Sequence, residues 1–188
     1  TLSRTLPGPV SPERLRGAVI AVLGNYGRYL LDFLALRVGR RGDLLRSRRG
    51  SQHLRAADSR GRGVILVTAA GNEAANVDTS PRYYPDAYPL DNIVAVGSST
   101  RTETLSSFSN YGAAVDLVAP GSAILSLYFG NNTGGLTLSG TSMAAPHVTG
   151  ALALIKARFP NDTYRQLINR LHRGVDALPR GLQAERVP

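Results

Sequence analysis

Short apolar runs separated by turn residues dominate the chain from residue 63 onward and predict strands. Residues 64–68 form a continuous β-branched and apolar run, which is typical of a strand buried on both faces. Upstream, an apolar run within residues 17–27, closed by a glycine turn, predicts one more strand. Further strands are predicted over residues 93–96, 108–112, 115–118, 124–128 and 136–138.

Two segments near the C-terminus have helical periodicity. Residues 141–159 predict a helix that Pro160 stops. A second helix is predicted over residues 162–171, where Thr163 and Gln166 have the spacing of a capping box. The apolar positions at helical spacing are Val148, Ala151, Leu152, Ile155, Leu167, Ile168 and Leu171. Strands alternating with helices predict an α/β fold with a mostly parallel sheet.

Charge divides the chain into a basic segment, residues 1–62, and a neutral remainder, residues 63–188. The first part holds 13 arginines against 4 acidic residues, which accounts for the whole formal charge of +9. No aromatic residue interleaves the basic residues between residues 38 and 64, so a solvated segment is favoured over a nucleic-acid-binding one. We therefore predict that residues 40–62 pack poorly, and nucleic-acid binding through residues 37–62 stays a lesser alternative.

The chain has no cysteine and no long apolar run. Disulfides and thiolate metal sites are therefore excluded, and no segment approaches the roughly 18 apolar residues of a membrane span. The sequence begins with Thr1 and has one methionine, Met143, so we expect either a processed N-terminus or a fragment.

The segment over residues 140–148, Gly-Thr-Ser-Met-Ala-Ala-Pro-His-Val, carries the strongest chemical signal. Small residues around Ser142 would let a substrate backbone approach its hydroxyl. A helix N-terminus at this point offers free N–H groups and the positive end of the helix dipole, which favour a developing oxyanion. Pro146 has no N–H, so the carbonyl of Ser142 is freed from its helical bond. The alternative role for Ser142 is a helix cap.

A second motif, Ala69-Ala70-Gly71-Asn72, directly follows the strand predicted over residues 64–68. Asparagine beside glycine is also common in ordinary turns. In chain order, however, this motif and the serine motif resemble those of the subtilisin-like serine peptidases, the subtilases. The resemblance covers residues 63–178 and includes the segments Tyr84-Pro85, Asn110-Tyr111-Gly112 and Ala119-Pro120-Gly121, which look like parts of the family's sheet and connecting turns.

The resemblance implies the C-terminal part of a three-layer αβα sandwich and a set of site residues. It implies that Ser142 is the nucleophile and that the Asn72 amide and the Ser142 backbone N–H form the oxyanion hole. Residues 19–27 resemble the strand that lines the substrate cleft, although Val22-Leu23-Gly24 stands where the family usually carries serine. The substrate-binding residues implied are Leu23, Gly24, Ala70 and Gly71.

The family's catalytic aspartate and histidine are expected upstream of the serine, in Asp-Ser/Thr-Gly and His-Gly-Thr-His contexts, and neither motif occurs. His53 lacks flanking glycines, His147 belongs to the serine motif, and His172 lies near the end of the last predicted helix. Asp58 lacks a preceding apolar strand. We therefore expect the chain alone to be inactive, either as a fragment or as a non-catalytic homologue that acts as a binding module.

Function and partners are implied by the resemblance alone. It implies endopeptidase chemistry through an acyl-enzyme, a protein or peptide substrate, and secretion. Calcium is the one cofactor that it suggests, with no ligand assigned by position. Membrane attachment is not expected, and nucleic acid is not an expected partner.

Overall fold

The computed structural model describes residues 20–23, 56–79, 85–127 and 135–176 of the 188-residue chain. Four parallel strands form its main sheet, in which neighbours in the chain are neighbours in space. They are β1 (Ile20–Leu23), β2 (Ile65–Ala69), β3 (Ile93–Ser99) and β4 (Leu117–Pro120). Because the strands are parallel, their carboxyl ends lie along one edge, where the segments 70–72 and 121–123 begin.

The remaining elements are a hairpin and two helices. Strands β5 (Ile124–Leu127) and β6 (Gly135–Leu138) pair antiparallel. Helix α1 (Thr141–Arg158) follows directly, and α2 (Tyr164–Arg173) packs against it. A short helical segment over residues 56–61 leads into β2.

Both faces of the main sheet are covered, as a parallel sheet requires. The larger core joins one face of β2, β3 and β4 to the two helices: Ile65, Val67, Val94, Val96, Ala119, Ala144, Ala145, Val148, Leu152, Leu167 and Leu171. On the opposite face Ala56 and Leu66 pack with Val64, Tyr88, Leu90 and Ile93. The predicted α/β fold, a partial three-layer sandwich, is confirmed.

Most predicted elements are present with shifted ends, but the strand expected over residues 108–112 is wrong. Ser109 and Asn110 are buried there and serve as hydrogen-bonding anchors of a loop. Only Tyr111 makes an isolated bridge, to Asn76. The apolar Phe108 and Tyr111 suggested a strand because the pattern could not show that the polar residues between them are buried.

The expectation of poor packing over residues 40–62 is wrong for its last part. Ala56 is fully buried against Leu66. Ser59 accepts a hydrogen bond from the Asn92 amide at 3.0 Å, and this ties the helical segment to the start of β3. Residues 40–55 lie outside the described residues, and the division of the chain at residue 62 stays a prediction.

The capping box of α2 is confirmed. The backbone N–H of Thr163 donates to Gln166 Oε1 at 2.8 Å, and Gln166 N–H donates to Thr163 Oγ1 at 3.4 Å. Within the described residues, no helix combines the length and apolarity needed to cross a bilayer.

Candidate functional site

The turn after β2 is bound directly to the start of α1. Asn72 Oδ1 accepts hydrogen bonds from the backbone N–H of Thr141 at 2.9 Å and from its hydroxyl at 3.0 Å. The backbone N–H of Gly71 donates to the same hydroxyl at 3.2 Å, and Thr141 is fully buried. The two sequence motifs, some 70 residues apart, therefore meet, and Asn72 is oriented by the residue that precedes Ser142.

Ser142 is the second residue of α1 and is partly buried. Gly140 caps the helix with extended backbone, and its N–H donates to the carbonyl of Gly121 at 2.8 Å. A Cβ on Gly121 would lie 2.7 Å from the Gly140 carbonyl oxygen, so only glycine permits this approach. The turn after β4 thus fixes the point at which α1, and with it Ser142, begins.

In the first turns of α1, mostly small side chains and polar backbone groups surround Ser142. Pro146 lies inside the helix and offers no N–H to the carbonyl of Ser142. Asn72 Oδ1 is engaged by Thr141, and the amide nitrogen of Asn72 lies 3.5 Å from where a Cβ of Gly140 would stand. The arrangement offers an amide donor beside a helix N-terminus, which is a suitable environment for a developing oxyanion.

The structure describes only some of the substrate-binding residues that the resemblance implies. Ala70 is buried, and its N–H donates to Val96 O at 3.0 Å. Gly71 has a φ of 109°, a backbone conformation that side-chain-bearing residues rarely adopt. Leu23 ends β1 and pairs with Thr68, whereas Gly24 lies outside the described residues.

Asn110 is a positioning residue to which the sequence assigned no role. Its side chain is fully buried and donates to Ala70 O at 2.9 Å and to Glu73 Oε2 at 2.7 Å. Its carbonyl oxygen accepts from the backbone N–H groups of Glu73 at 3.1 Å and Ala75 at 2.9 Å. All hydrogen-bonding positions of the amide are used, so Asn110 fixes the loop that carries Asn72. The sequence pattern predicts a strand over residues 108–112 and gives no sign that Asn110 is buried, so this role is visible only in the structure.

We expect Asn110→Ala to lower the free energy of unfolding by roughly 3 kcal/mol, because it leaves several buried backbone groups unpaired. Urea unfolding followed by circular dichroism measures this. The exposed Asn161→Ala should change stability by less than about 0.5 kcal/mol. Equal stability of the two variants would contradict the role assigned to Asn110.

The histidines and the aspartate considered as bases from the sequence lie in different surroundings. His147 is exposed and its Nδ1 lies 2.9 Å from the carbonyl oxygen of Met143, one turn back along the same helix. His172 is exposed near the end of α2. Asp58 is exposed and pairs with Arg62 at 2.9 Å. His53 lies outside the described residues.

Asp86 is the most strongly perturbed acid of the described chain. Burial raises the pKa of its carboxyl to about 7; the Thr68 hydroxyl opposes the rise and the nearby Asp116 carboxylate adds to it. Its Oδ1 is buried without a hydrogen-bond partner. Asp86 lies against the face of the sheet opposite α1 and lines a small cavity with Val77, Ala87, Ala114 and Val115.

The raised pKa of Asp86 predicts that the stability of the protein depends on pH. The folded state keeps the Asp86 proton between about pH 4 and pH 7, where the unfolded chain has released it, so the free energy of unfolding falls as pH rises through that range. Asp86→Asn should remove this contribution, on the order of 4 kcal/mol, and stabilise the protein most at pH 8. Urea unfolding at pH 5 and pH 8 checks it, with the exposed Asp58→Asn as control. A difference between Asp86→Asn and the original chain that is the same at both pH values would contradict it.

The calcium that the resemblance suggests has no cluster of acidic residues to hold it among the described residues. These residues contain no group of three or more histidine, aspartate or glutamate side chains placed to hold an ion.

The fold and these contacts define an open-sheet α/β protein whose candidate site lies at the carboxyl ends of parallel strands. The family model described as the subtilase family matches residues 39–181, so the chain belongs to that family. The match begins well before residue 63, where the sequence motifs placed the start of the resemblance, and it includes part of the basic segment.

Similar proteins share sequence and fold with this chain over part of their length. Subtilisin DY from Bacillus licheniformis is 39% identical over 109 residues, covering 58% of this chain and 38% of that protein. An extracellular serine proteinase of a Thermus strain is 44% identical over 109 residues, covering 58% of this chain and 25% of that protein. The crystal structure of a cold-adapted subtilisin-like serine proteinase has a TM-score of 0.59 at 36% identity, covering 70% of this chain and 45% of that one. The chain thus spans well under two thirds of these relatives.

Proposed function

We propose that this chain supplies the nucleophile-bearing part of a serine endopeptidase. Ser142 attacks a peptide carbonyl, an acyl-enzyme forms with release of the amine, and water then hydrolyses the ester. The observation that carries the proposal is the pair of hydrogen bonds from Thr141 to Asn72 Oδ1. They hold an amide donor beside the residue at the start of α1.

The oxyanion is stabilised by two groups of this chain. The Asn72 amide donates from one side, and the backbone N–H of Ser142 donates from the first turn of α1, where the helix dipole is positive. Since the Asn72 orientation is fixed in advance by Thr141 and its loop by Asn110, little reorganisation is needed as charge develops.

We propose that the general base comes from outside the described residues. A serine hydroxyl is a weak nucleophile until a base takes its proton, and an aspartate must orient that base. We propose that a histidine and an aspartate on the complementary part of a subtilisin-like domain complete the site, and that the chain alone is inactive.

The substrate class follows from family membership. We propose a protein or peptide substrate and, because one relative is named an extracellular proteinase, a secreted setting. Nucleic-acid binding is disfavoured in the described part of the basic segment. There Arg60 and Arg62 pair with Asp91 and Asp58.

Labelling by a fluorophosphonate probe tests the proposal. The full chain is mixed with the part of subtilisin DY that precedes its matched 109 residues, and the labelled peptide is identified by mass spectrometry. We expect stoichiometric labelling at Ser142 and none in Ser142→Ala. Confirmed binding of the two parts without labelling would remove the proposal.

The second candidate is a non-catalytic binding module. The family's Asp-Ser/Thr-Gly and His-Gly-Thr-His motifs do not occur in this sequence, which favours this candidate, since the loop and helix would still offer donors to a peptide carbonyl. Binding of peptide without labelling in the assembled pair would support this candidate instead.

A further inference from the structure

Three serine hydroxyls form a chain of contacts from the end of β3 to the turn after β4. The hydroxyl oxygens of Ser98 and Ser106 lie 2.8 Å apart, and those of Ser106 and Ser122 lie 2.7 Å apart. Ser98 and Ser106 are buried, and Ser122 is partly buried. A hydroxyl can donate one hydrogen bond while it accepts another, so Ser106 links its two neighbours and successive bonds strengthen one another. These residues belong to neither the serine motif nor the asparagine motif.

The hydroxyl chain lies directly against the turn after β4, residues 121–123. A Cβ on Gly121 would clash with the Ser98 hydroxyl, so this hydroxyl packs on the Gly121 backbone. Two backbone bonds join the same segments: Ser106 N–H donates to Ser98 O at 2.8 Å, and Gly121 N–H donates to Ser99 O at 3.1 Å. The end of β3, the loop that follows it and the turn after β4 are therefore held together at one point.

The turn after β4 contains a strained residue. Ala123 has a φ of 55°, in the left-handed region that residues with a side chain rarely occupy. Its N–H donates to the Ser139 hydroxyl at 2.9 Å. Strain of this kind persists only where surrounding contacts hold the backbone, and it clusters at functional sites. Here those contacts include the Ser122 hydroxyl, bound to Ser106, and the Ser139 hydroxyl.

The same turn is bound to both residues that directly precede α1. Gly121 O accepts a hydrogen bond from Gly140 N–H at 2.8 Å, and Ala123 N–H donates to Ser139. The backbone N–H of Ser142 belongs to the first turn of the helix that begins there. A shift of the turn after β4 would therefore move the first turn of α1 with it.

We propose that Ser98, Ser106 and Ser122 are positioning residues for the proposed reaction. Through the turn after β4 they hold the backbone N–H and the hydroxyl of Ser142 in place relative to the Asn72 amide. An oxyanion hole is effective when its donors already lie where negative charge develops, so a small displacement of one donor lowers turnover. The inference rests on the proposed function for its purpose, but the ordering of the start of α1 can be measured in the chain alone, without catalysis.

Hydrogen exchange of the full chain, followed by NMR, tests the positioning. Ser106→Ala removes the middle hydroxyl and both of its contacts in the chain. We expect the N–H groups of Gly140 and Thr141 to exchange about tenfold faster or more in this variant, relative to the N–H of the fully buried Val67 in β2. The ratio to Val67 removes the effect of a general loss of stability, which speeds exchange at all three positions.

Ser59→Ala is the matched control. The Ser59 hydroxyl also makes two bonds, to Ala56 O and to the Asn92 amide, but its helical segment packs on the opposite face of the sheet. This variant should change the exchange ratio by less than about twofold. Ser122→Ala should behave like Ser106→Ala, whereas Ser122→Thr keeps the hydroxyl and should behave like the original chain.

Equal exchange ratios in Ser106→Ala and Ser59→Ala, or in Ser122→Ala and Ser122→Thr, would overturn the proposal. Ser122 is partly exposed, so its two substitutions should leave the fold intact, and this pair decides alone if Ser106→Ala does not fold.

Kinetics separate positioning from stability in the assembled pair, which is this chain with the part of subtilisin DY that precedes its matched residues. Ser122→Ala should lower kcat by about tenfold and change KM by less than about twofold, because the displaced donors act on the transition state. Ser122→Thr and Ser59→Ala should keep the original kcat. An equal fall of kcat in Ser59→Ala and Ser122→Ala would overturn the positioning and leave the proposed catalysis standing. If the original pair is not labelled by the fluorophosphonate, the proposed catalysis fails, and the exchange ratios of the chain alone still decide the positioning.

Discussion

The full chain alone is expected to hydrolyse casein about a million-fold more slowly than the assembled pair, which is this chain bound to the part of subtilisin DY that precedes its matched residues. For practical purposes this means no turnover by the chain alone. This magnitude is the one known for subtilisin itself when the nucleophile or the base is removed. The physical reason is that a serine hydroxyl keeps its proton until a placed base takes it, and we propose that the complementary part supplies that base. Among the described histidines, His147 bonds back along α1 and His172 lies near the end of α2.

The expected inactivity is measured by casein turnover and by fluorophosphonate labelling of the purified chain. Ser142→Ala is the control. Turnover absent from the Ser142→Ala control would show that a residue of this chain supplies the base. His53→Ala would then be the first variant to examine, because His53 is the only histidine upstream of the nucleophile.

The second large effect concerns Asn72 in the assembled pair. We expect Asn72→Ala to lower turnover by about 100- to 1000-fold with little change in KM, the range known for losing this donor in subtilisin itself. The interaction is formed only as negative charge develops, so it acts on the transition state more than on substrate binding.

Asn72→Asp separates donation from a structural role. Aspartate keeps the acceptor that Thr141 needs but loses the amide donor and adds a negative charge beside the oxyanion. Turnover should therefore fall at least as far as in Asn72→Ala, while the free energy of unfolding stays within about 1 kcal/mol. The exposed Asn161→Ala is the control, and full activity of Asn72→Asp would contradict the oxyanion role.

The prediction of poor packing over residues 40–62 shows where the local sequence pattern gave the wrong answer. These residues have no clear helical period, yet residues 56–61 form a helix because Ala56 fits into a buried position against Leu66. The strand predicted over residues 108–112 failed for a related reason. Its polar residues are buried, with Asn110 bound to the loop that follows β2. Burial depends on how the layers of the fold pack together. The periodicity of the sequence indicates burial only where the buried residues are apolar.

By itself, the sequence determined the α/β class, the family and the two motifs, because apolar runs, glycine turns and the serine segment are local features. It also specified the α2 capping box, whose partners are three residues apart. Only the tertiary structure decided that Thr141 orients Asn72 and that Asn110 anchors the loop carrying Asn72. These depend on contacts between residues up to about 70 positions apart, and such contacts exist only once the sheet brings the ends of its strands to one edge.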